Sequence, residues 1–466
     1  MKKITKALVL VLVCVFAFLL VGCGNDDRIV ALEKAIGDFQ TSLSELRDEK
    51  DLLLEEIDAL NKQIKELEGD SESQTSIIYN LRTQVQEAQK KVKEYEAQIE
   101  LLEGKIGAVR PEINVALADE YTLVVGDNFQ LFYRSVVQAP DPYGYYIKLE
   151  GKKGHMYNRY YEYKPAANEV GVHTLKLSVC DANGVEYGSD ETKLIVVPAT
   201  VTNGAQKNIL CFGDSLTANG VWVAQGISRY MKAGYTNVKT LGSMTKTLNG
   251  VTVKYEGNSG WQWSSYTSGA TDLTTGNYKN SPFLKADGSG VTFKEFANKY
   301  GVEKIDEVYI LLTWNGIGGR FREFSFADSL FSNAKKLVDT FHKEFPEGKI
   351  TLIAIPKPSM NAGLGAYYEL NVGYADNYAQ SVTVMNYNKF MEDWSKMEEY
   401  KDFLFYMDGM GQFDSEYNMP TESKPVNNQN STTEPVGNAM GMHPNNQGYM
   451  QIGDVFFRAL MMKKEK

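Results

Sequence analysis

The sequence predicts a multidomain chain in which a long α-helical coiled coil and then a β-sandwich precede an α/β domain. Three observations predict it. Apolar residues recur every seven positions from Ile29 to Ile106, and short strand-like runs separated by turn residues follow at 110–200. From residue 203 onwards, apolar bursts stop at glycine or polar turns ahead of helical stretches.

The start, Met1-Lys2-Lys3-Ile4-Thr5-Lys6, is basic and residues 7–21 are apolar, the pattern of a signal peptide over 1–22. Leu20-Val21-Gly22-Cys23 resembles the lipobox of bacterial lipoproteins, which implies that Cys23 is diacylated and becomes the new N-terminus. Two acyl chains, at about 0.8 kcal/mol per buried CH₂, give stable attachment. The expected location is therefore the extracellular face of a bacterial, Gram-positive-type cell membrane. An uncleaved transmembrane helix needs about 20 apolar residues, and this run falls short.

A stalk is expected over 23–109. One core position reads Ile29, Ile36, Leu43, Lys50, Ile57, Ile64, Ser71, Ile78, Val85, Val92, Ile99 and Ile106. Its companion reads Leu32, Phe39, Leu46, Leu53, Leu60, Leu67, Gln74, Leu81, Ala88, Tyr95 and Leu102. Because the count passes through Gly69-Asp70-Ser71-Glu72-Ser73 in phase, it favours one rod, on the order of 120 Å long, over a hairpin turning at Gly69. β-Branched residues at the first position, leucine at the second and a single Lys50 favour a parallel homodimer.

In the β-sandwich segment, strand-like runs fall at Tyr121–Val125, Phe129–Tyr133, Tyr145–Leu149, His173–Val179 and Thr192–Val197, with Gly126-Asp127 and Asn183-Gly184 as turns. Its aromatic patch, Tyr157, Tyr160, Tyr161 and Tyr163, reads as core or as a docking face rather than as an independent binding site. The segment is expected to act as a spacer.

The α/β domain, 203–466, carries the chemistry. Lys207–Phe212 reads as a buried strand, Gly213 breaks it, and a helix is expected from Leu216 to about Lys232. Ser215 at that junction has two readings, a helix cap or a nucleophile beside its own outward-facing N–H. Serine needs a base. Of four histidines, His155 and His173 fall in the β segment and His342 in a polar helix; His443 follows a polar loop, Thr421 to Pro435, and leads into the last helix. Gly260 leaves its N–H unobstructed after the turn Glu256-Gly257-Asn258-Ser259, and Asn315 emerges at the carboxyl end of strand Val308–Leu312. Trp261, Trp263 and Trp314 lie beside these positions and are candidate substrate contacts, since flat rings stack on sugar faces.

The blocks Gly213-Asp214-Ser215-Leu216, Ser259-Gly260-Trp261, Trp314-Asn315-Gly316 and His443-Pro444-Asn445, in this order, resemble the SGNH (GDSL-type) hydrolase family. The resemblance implies a three-layer α/β/α fold and Ser215 as nucleophile with His443 as base. It also implies an oxyanion hole made by the N–H groups of Ser215 and Gly260 with the Asn315 amide. The block Glu256–Trp261 is similar to members that remove acyl groups from carbohydrates. The expectation is a surface-anchored serine esterase acting on acyl, in particular acetyl, esters of extracellular or cell-wall carbohydrate, with no metal and no organic cofactor. A lipid or general short-chain esterase and a non-catalytic glycan-binding lipoprotein are the alternatives.

One departure stands out. Met440 occupies the position three residues before His443 where the family usually carries an aspartate. A thioether is a weak acceptor for an imidazole N–H, and disabling the equivalent acid in serine proteases costs about 10⁴ in turnover. Three readings stay open: a Ser-His dyad oriented by a backbone carbonyl, a carboxylate from Asp408, Asp414 or Glu434, or a site that binds without turnover. The net charge of −10 argues against nucleic acid as a partner. With Cys14 in the signal and Cys23 acylated, Cys180 and Cys211 imply neither a disulfide framework nor a metal site.

Overall fold

The computed structural model describes residues 25–67, 75–109, 113–312, 314–359, 363–369, 373, 375–425, 433–437 and 441–462. The expectations for the signal peptide, Cys23, Gly69 and Met440, and for the Glu434 side chain, lie outside this description. Among the described residues, no helix is long and apolar enough to cross a membrane. The chain forms two units, 1–112 and 113–466.

In the first unit, α1 (Asn25–Leu67) and α2 (Thr75–Val109) pack on each other. Ile57 and Ile64, late in α1, share a cluster with Val85, Ala88 and Val92, early in α2, whereas Phe39 and Leu46 meet Leu102. The order is reversed, so the two helices run antiparallel. This corrects the reading of one unbroken rod. The seam residues were identified by the heptad count, but the interval 68–74 is itself one heptad long, so the phase survives a reversal of direction. Folding back covers within one chain the apolar seam that a parallel partner would otherwise cover.

The second unit contains both of the segments expected as separate domains. Its first part holds β1 (Glu120–Val124), β2 (Phe129–Phe132), a one-turn α3 (Tyr133–Val136), β3 (Tyr146–Gly151), β4 (His155–Met156), β5 (Tyr160–Tyr163), β6 (Gly171–Cys180) and β7 (Glu186–Val197). They form a four-stranded sheet, β1-β7-β6-β3, and a three-stranded sheet, β2-β5-β4. Both sheets contribute to one core, with Leu123, Leu177 and Val196 from the first and Phe129, Leu131 and Tyr161 from the second. The Asn183-Gly184 turn forms as expected, with the Asp181 carboxylate accepting from the N–H groups of Asn183 and Val185. The tyrosine patch divides: Tyr161 and Tyr163 are buried, while Tyr157 is exposed and stacks on Tyr160 at 4.9 Å between ring centroids. The strand β5 that carries three of these tyrosines was not expected from sequence, because Tyr160-Tyr161-Glu162-Tyr163 is short and shows no apolar-polar alternation.

The second part is a mixed α/β fold. In chain order it contains β8 (Lys207–Gly213), α4 (Ser215–Ala218), α5 (Val221–Lys232), β9 (Val238–Leu241), β10 (Met244–Leu248), β11 (Val251–Gly257), α6 (Trp263–Ser268), β12 (Gly269–Thr271), β13 (Tyr278–Asn280) and α7 (Phe293–Lys299). Then follow β14 (Glu307–Leu311), α8 (Ser329–Glu344), β15 (Lys349–Ile353), α9 (Leu364–Tyr368), α10 (Asn377–Lys396), β16 (Leu404–Met407), β17 (Thr421–Pro425), β18 (Thr433–Gly437) and α11 (Asn446–Met461). The central sheet runs β10-β11-β8-β14-β15-β16, with β9 also on β8, and all pairs are parallel except β10 with β11. Helices cover both faces. On one face Tyr309 meets Phe456 of α11, which also contacts Trp222 of α5. On the other, Phe212 packs on Tyr266 and Phe283, and Phe293 on Phe341 of α8.

Two expectations are revised. The helix after Ser215 is two helices, because Gly220, at φ +67°, turns the chain between them, with the Asn219 side chain accepting from Val221 N–H at 2.9 Å. The described ends of the polar stretch read as a loop pair as the antiparallel β17–β18. Cys180 and Cys211 are buried and not joined in a disulfide.

Candidate active site

The parallel sheet sends its carboxyl ends to one edge, and there β8 and β14 finish side by side, with Leu311 opposite Gly213. A Cβ on Gly213 would lie 1.9 Å from the Leu311 carbonyl oxygen, so only glycine lets the chain turn there into α4. The carbonyl of Gly213 accepts from the Tyr266 hydroxyl at 2.7 Å and from Asn258 N–H at 3.1 Å, which ties the Ser215 turn to the segment carrying Gly260. Asp214 makes the second tie. It is fully buried, caps α4 by accepting from Leu216 N–H at 3.0 Å, and accepts with its other oxygen from Trp314 N–H at 3.1 Å.

Ser215 is thereby held at the first residue of α4, where backbone N–H groups have no partner within the helix. Across the site, His443 Nε2 lies 2.8 Å from Ser215 Oγ. Burial lowers the imidazole's pKa, so the ring is neutral at pH 7 and can take the hydroxyl proton. Gly260 has φ +80°, and the space its missing side chain leaves is closed by Leu273, whose Cγ is 2.4 Å from a would-be Cβ. The Asn315 amide donates to the Trp261 carbonyl at 3.1 Å, which fixes its plane and leaves its second N–H for another acceptor. Ser215, Gly260, Asn315 and His443 are all half-buried, whereas Asp214, Asn258, Tyr266 and Trp314 behind them are buried.

The structure thus brings Ser215 and His443 into contact and ties Gly260 and Asn315 to the same loop edge. It does not support the tryptophans as substrate contacts. Trp261, Trp263 and Trp314 are buried at 0 %, 1 % and 2 % exposure, and Trp263 Nε1 donates to the Tyr387 hydroxyl at 3.1 Å. Their ring faces are core, because the loops that carry Gly260 and Asn315 need apolar ballast beneath them.

Two of the carboxylates considered for orienting His443 are engaged elsewhere. Asp408 accepts from the Tyr121 hydroxyl at 2.6 Å and from the N–H groups of Met410 and Gly411. Asp414 accepts from Arg159 at 2.7 Å and from Glu416 and Tyr417 N–H groups. The histidine segment is held on both sides: Ser359 N–H donates to Gly441 O at 2.7 Å, and the Asn445 side chain caps α11 by accepting from Gly448 N–H at 2.9 Å. Asp214, Asn258 and Tyr266 were not singled out from sequence. Only Asp214 had a signal, its place directly before Ser215.

No family model matches the sequence, and no curated protein matches it. Several solved structures resemble it at low similarity. A carbohydrate esterase family 3 protein from Talaromyces cellulolyticus is 16 % identical, covers 55 % of this chain and 96 % of its own, and has a TM-score of 0.35. An acetyl esterase mutant with acetate ion is 17 % identical, with coverage of 55 % and 96 % and a TM-score of 0.32. An extracellular lipase from Streptomyces rimosus is 11 % identical, with coverage of 53 % and 97 % and a TM-score of 0.27. These structural neighbours are esterases and lipases, each spanning about half of this chain.

Proposed function

We propose that this chain is a serine esterase of the SGNH type that removes acyl groups, in particular acetyl, from extracellular or cell-wall carbohydrate while anchored to the membrane through Cys23. The observation that carries the reading is the 2.8 Å approach of His443 Nε2 to Ser215 Oγ across 228 residues of sequence. The carbohydrate preference draws on the likeness of the Glu256–Trp261 block to carbohydrate-directed members, and the anchor on the Leu20–Cys23 pattern.

Ser215 Oγ attacks the ester carbonyl carbon as its proton passes to His443 Nε2. The tetrahedral oxyanion is met by the N–H groups of Ser215 and Gly260 and by the free arm of the Asn315 amide, each worth roughly 3 kcal/mol when well aimed. The C–O bond to the sugar breaks, and His443 returns the proton to the leaving oxygen. Water then adds to the acyl-serine by the same route, releasing the acid and restoring Ser215. Asp408 and Asp414 accept from other groups, and the segment that carries the ring is anchored on both sides.

A p-nitrophenyl ester series and acetylated glycans, offered to the full chain beside Ser215→Ala, test this. Serine-dependent release that drops steeply beyond short acyl groups, with acetate freed from glycan, is expected. Rising activity with acyl length would favour a lipid or general esterase. Binding without serine-dependent release would leave a glycan-binding lipoprotein.

A further inference from the structure

We propose that the sheet domain is a working part of this active site, with Arg159 and Arg134 as positioning residues for His443. The inference rests on the reading of His443 as the base. Arg159 reaches out of the sheets to segment 414–419 of the α/β domain. It donates to Asp414 Oδ1 at 2.7 Å and to Glu416 Oε2 at 2.6 Å, and its guanidinium lies 4.2 Å from the centre of the Tyr417 ring. Arg134 Nε stands 2.8 Å from the other Glu416 oxygen. All four charged side chains are sheltered, between 11 % and 26 % exposed, so solvent screens these pairs less than ordinary surface ones.

The clamped segment in turn holds the residue two places after His443. Asn445 N–H donates to Asn418 O at 3.0 Å, and Asn445 Nδ2 donates to the carbonyls of Tyr417 and Met419 at 3.2 Å each. Gln451 of α11 strengthens the junction, accepting from Asp414 N–H at 3.0 Å and from Asn418 Nδ2 at 2.7 Å. Between His443 and Asn445 stands Pro444, whose ring fixes φ and passes the constraint on.

The other flank leads back to the same place. Gly441 O is held by Ser359 N–H, and Lys357, two residues earlier, donates to the Arg134 carbonyl at 3.0 Å. Both flanks of His443 are therefore anchored to the sheet domain near Arg134. This anchoring fixes the backbone on either side of the ring.

The test uses the full chain with Arg159→Ala and Arg159→Lys, reading p-nitrophenyl acetate kinetics and amide hydrogen exchange. Arg159→Ala is expected to lower kcat by about 10- to 100-fold with KM within about twofold, since a displacement near 1 Å costs about that much. Exchange is expected to rise in 414–419 and 441–449 and to stay unchanged in 251–257; Arg159→Lys, keeping the charge, recovers part of both. Wild-type exchange across 441–449 in Arg159→Ala, or a wild-type kcat, overturns the inference. If Arg159→Ala raises exchange throughout 113–462, Glu416→Gln provides the same comparison with volume kept. Absence of Ser215-dependent turnover in the wild type would sink the esterase reading alone, because the exchange comparison still decides whether the sheet domain holds the histidine segment.

Discussion

Asp214 gives the sharpest prediction, because one buried carboxylate joins the Ser215 turn to the strand end that carries Asn315. Its two oxygens each accept a backbone N–H, from Leu216 at 3.0 Å and Trp314 at 3.1 Å. Asp214→Asn keeps the shape but replaces one oxygen by an NH₂ group, so one of those two N–H groups meets a donor. Losing a charge-assisted bond costs about 1.5–3 kcal/mol, and the buried donor left unmet costs about 1–3 kcal/mol more. A destabilisation of roughly 3–5 kcal/mol follows, measured as the urea midpoint at constant slope. Trp314 also moves, and with it Asn315, so kcat/KM for p-nitrophenyl acetate is expected to fall by about 10²-fold. Asp214→Asn within about 1 kcal/mol and twofold of wild type would refute the tie.

Other substitutions probe separate parts of the site. Asn315→Ala is expected to lower kcat by about 10²–10³-fold with little change in KM, because in the proposed mechanism its second N–H meets an oxygen that becomes charged only in the transition state; steady-state kinetics with an unchanged kcat would contradict this. Burial lowers the His443 pKa below the usual 6.5, and the neutral ring is the active form, so the acid limb of kcat/KM against pH is expected below 6.5. An acid limb above that value would contradict the assignment of the base. Lys357, fully buried, has its pKa lowered by desolvation and by Arg134 from 10.5 to about 7. The unfolded chain therefore binds a proton that the folded one does not between these values, and stability rises with pH across that window, by up to about 5 kcal/mol. Urea unfolding between pH 7 and pH 9 should show this rise in the wild type and a flatter curve for Lys357→Met.

The sequence reveals residue types and periods but not direction, burial or long-range partners. The seam of the stalk was legible because a heptad repeat is local, yet whether Ile57 meets its own heptad in a second chain or Val85 in the same chain depends on a reversal that leaves the phase intact. Ser215 and Asn315 stood out because each follows the break of an apolar run, Gly260 because it follows a polar turn, and His443 because it follows a polar loop and leads into the last helix. Trp314 was not, since a tryptophan beside a site and a tryptophan beneath it look alike in sequence; its burial shows only once β14 and its neighbours pack. The grip of Arg159 on Glu416 joins positions 257 residues apart, and nothing local announces it.

The most direct test of the central claim is to trap the acyl-enzyme. The full chain, quenched in acid during turnover of p-nitrophenyl acetate and digested, should carry acetyl on the peptide containing Ser215. Ser215→Ala should carry none there, and His443→Ala should acquire it at least about 10³-fold more slowly. Acetyl found on another residue, or turnover indifferent to both substitutions, would contradict the claim that Ser215 and His443 form one catalytic pair.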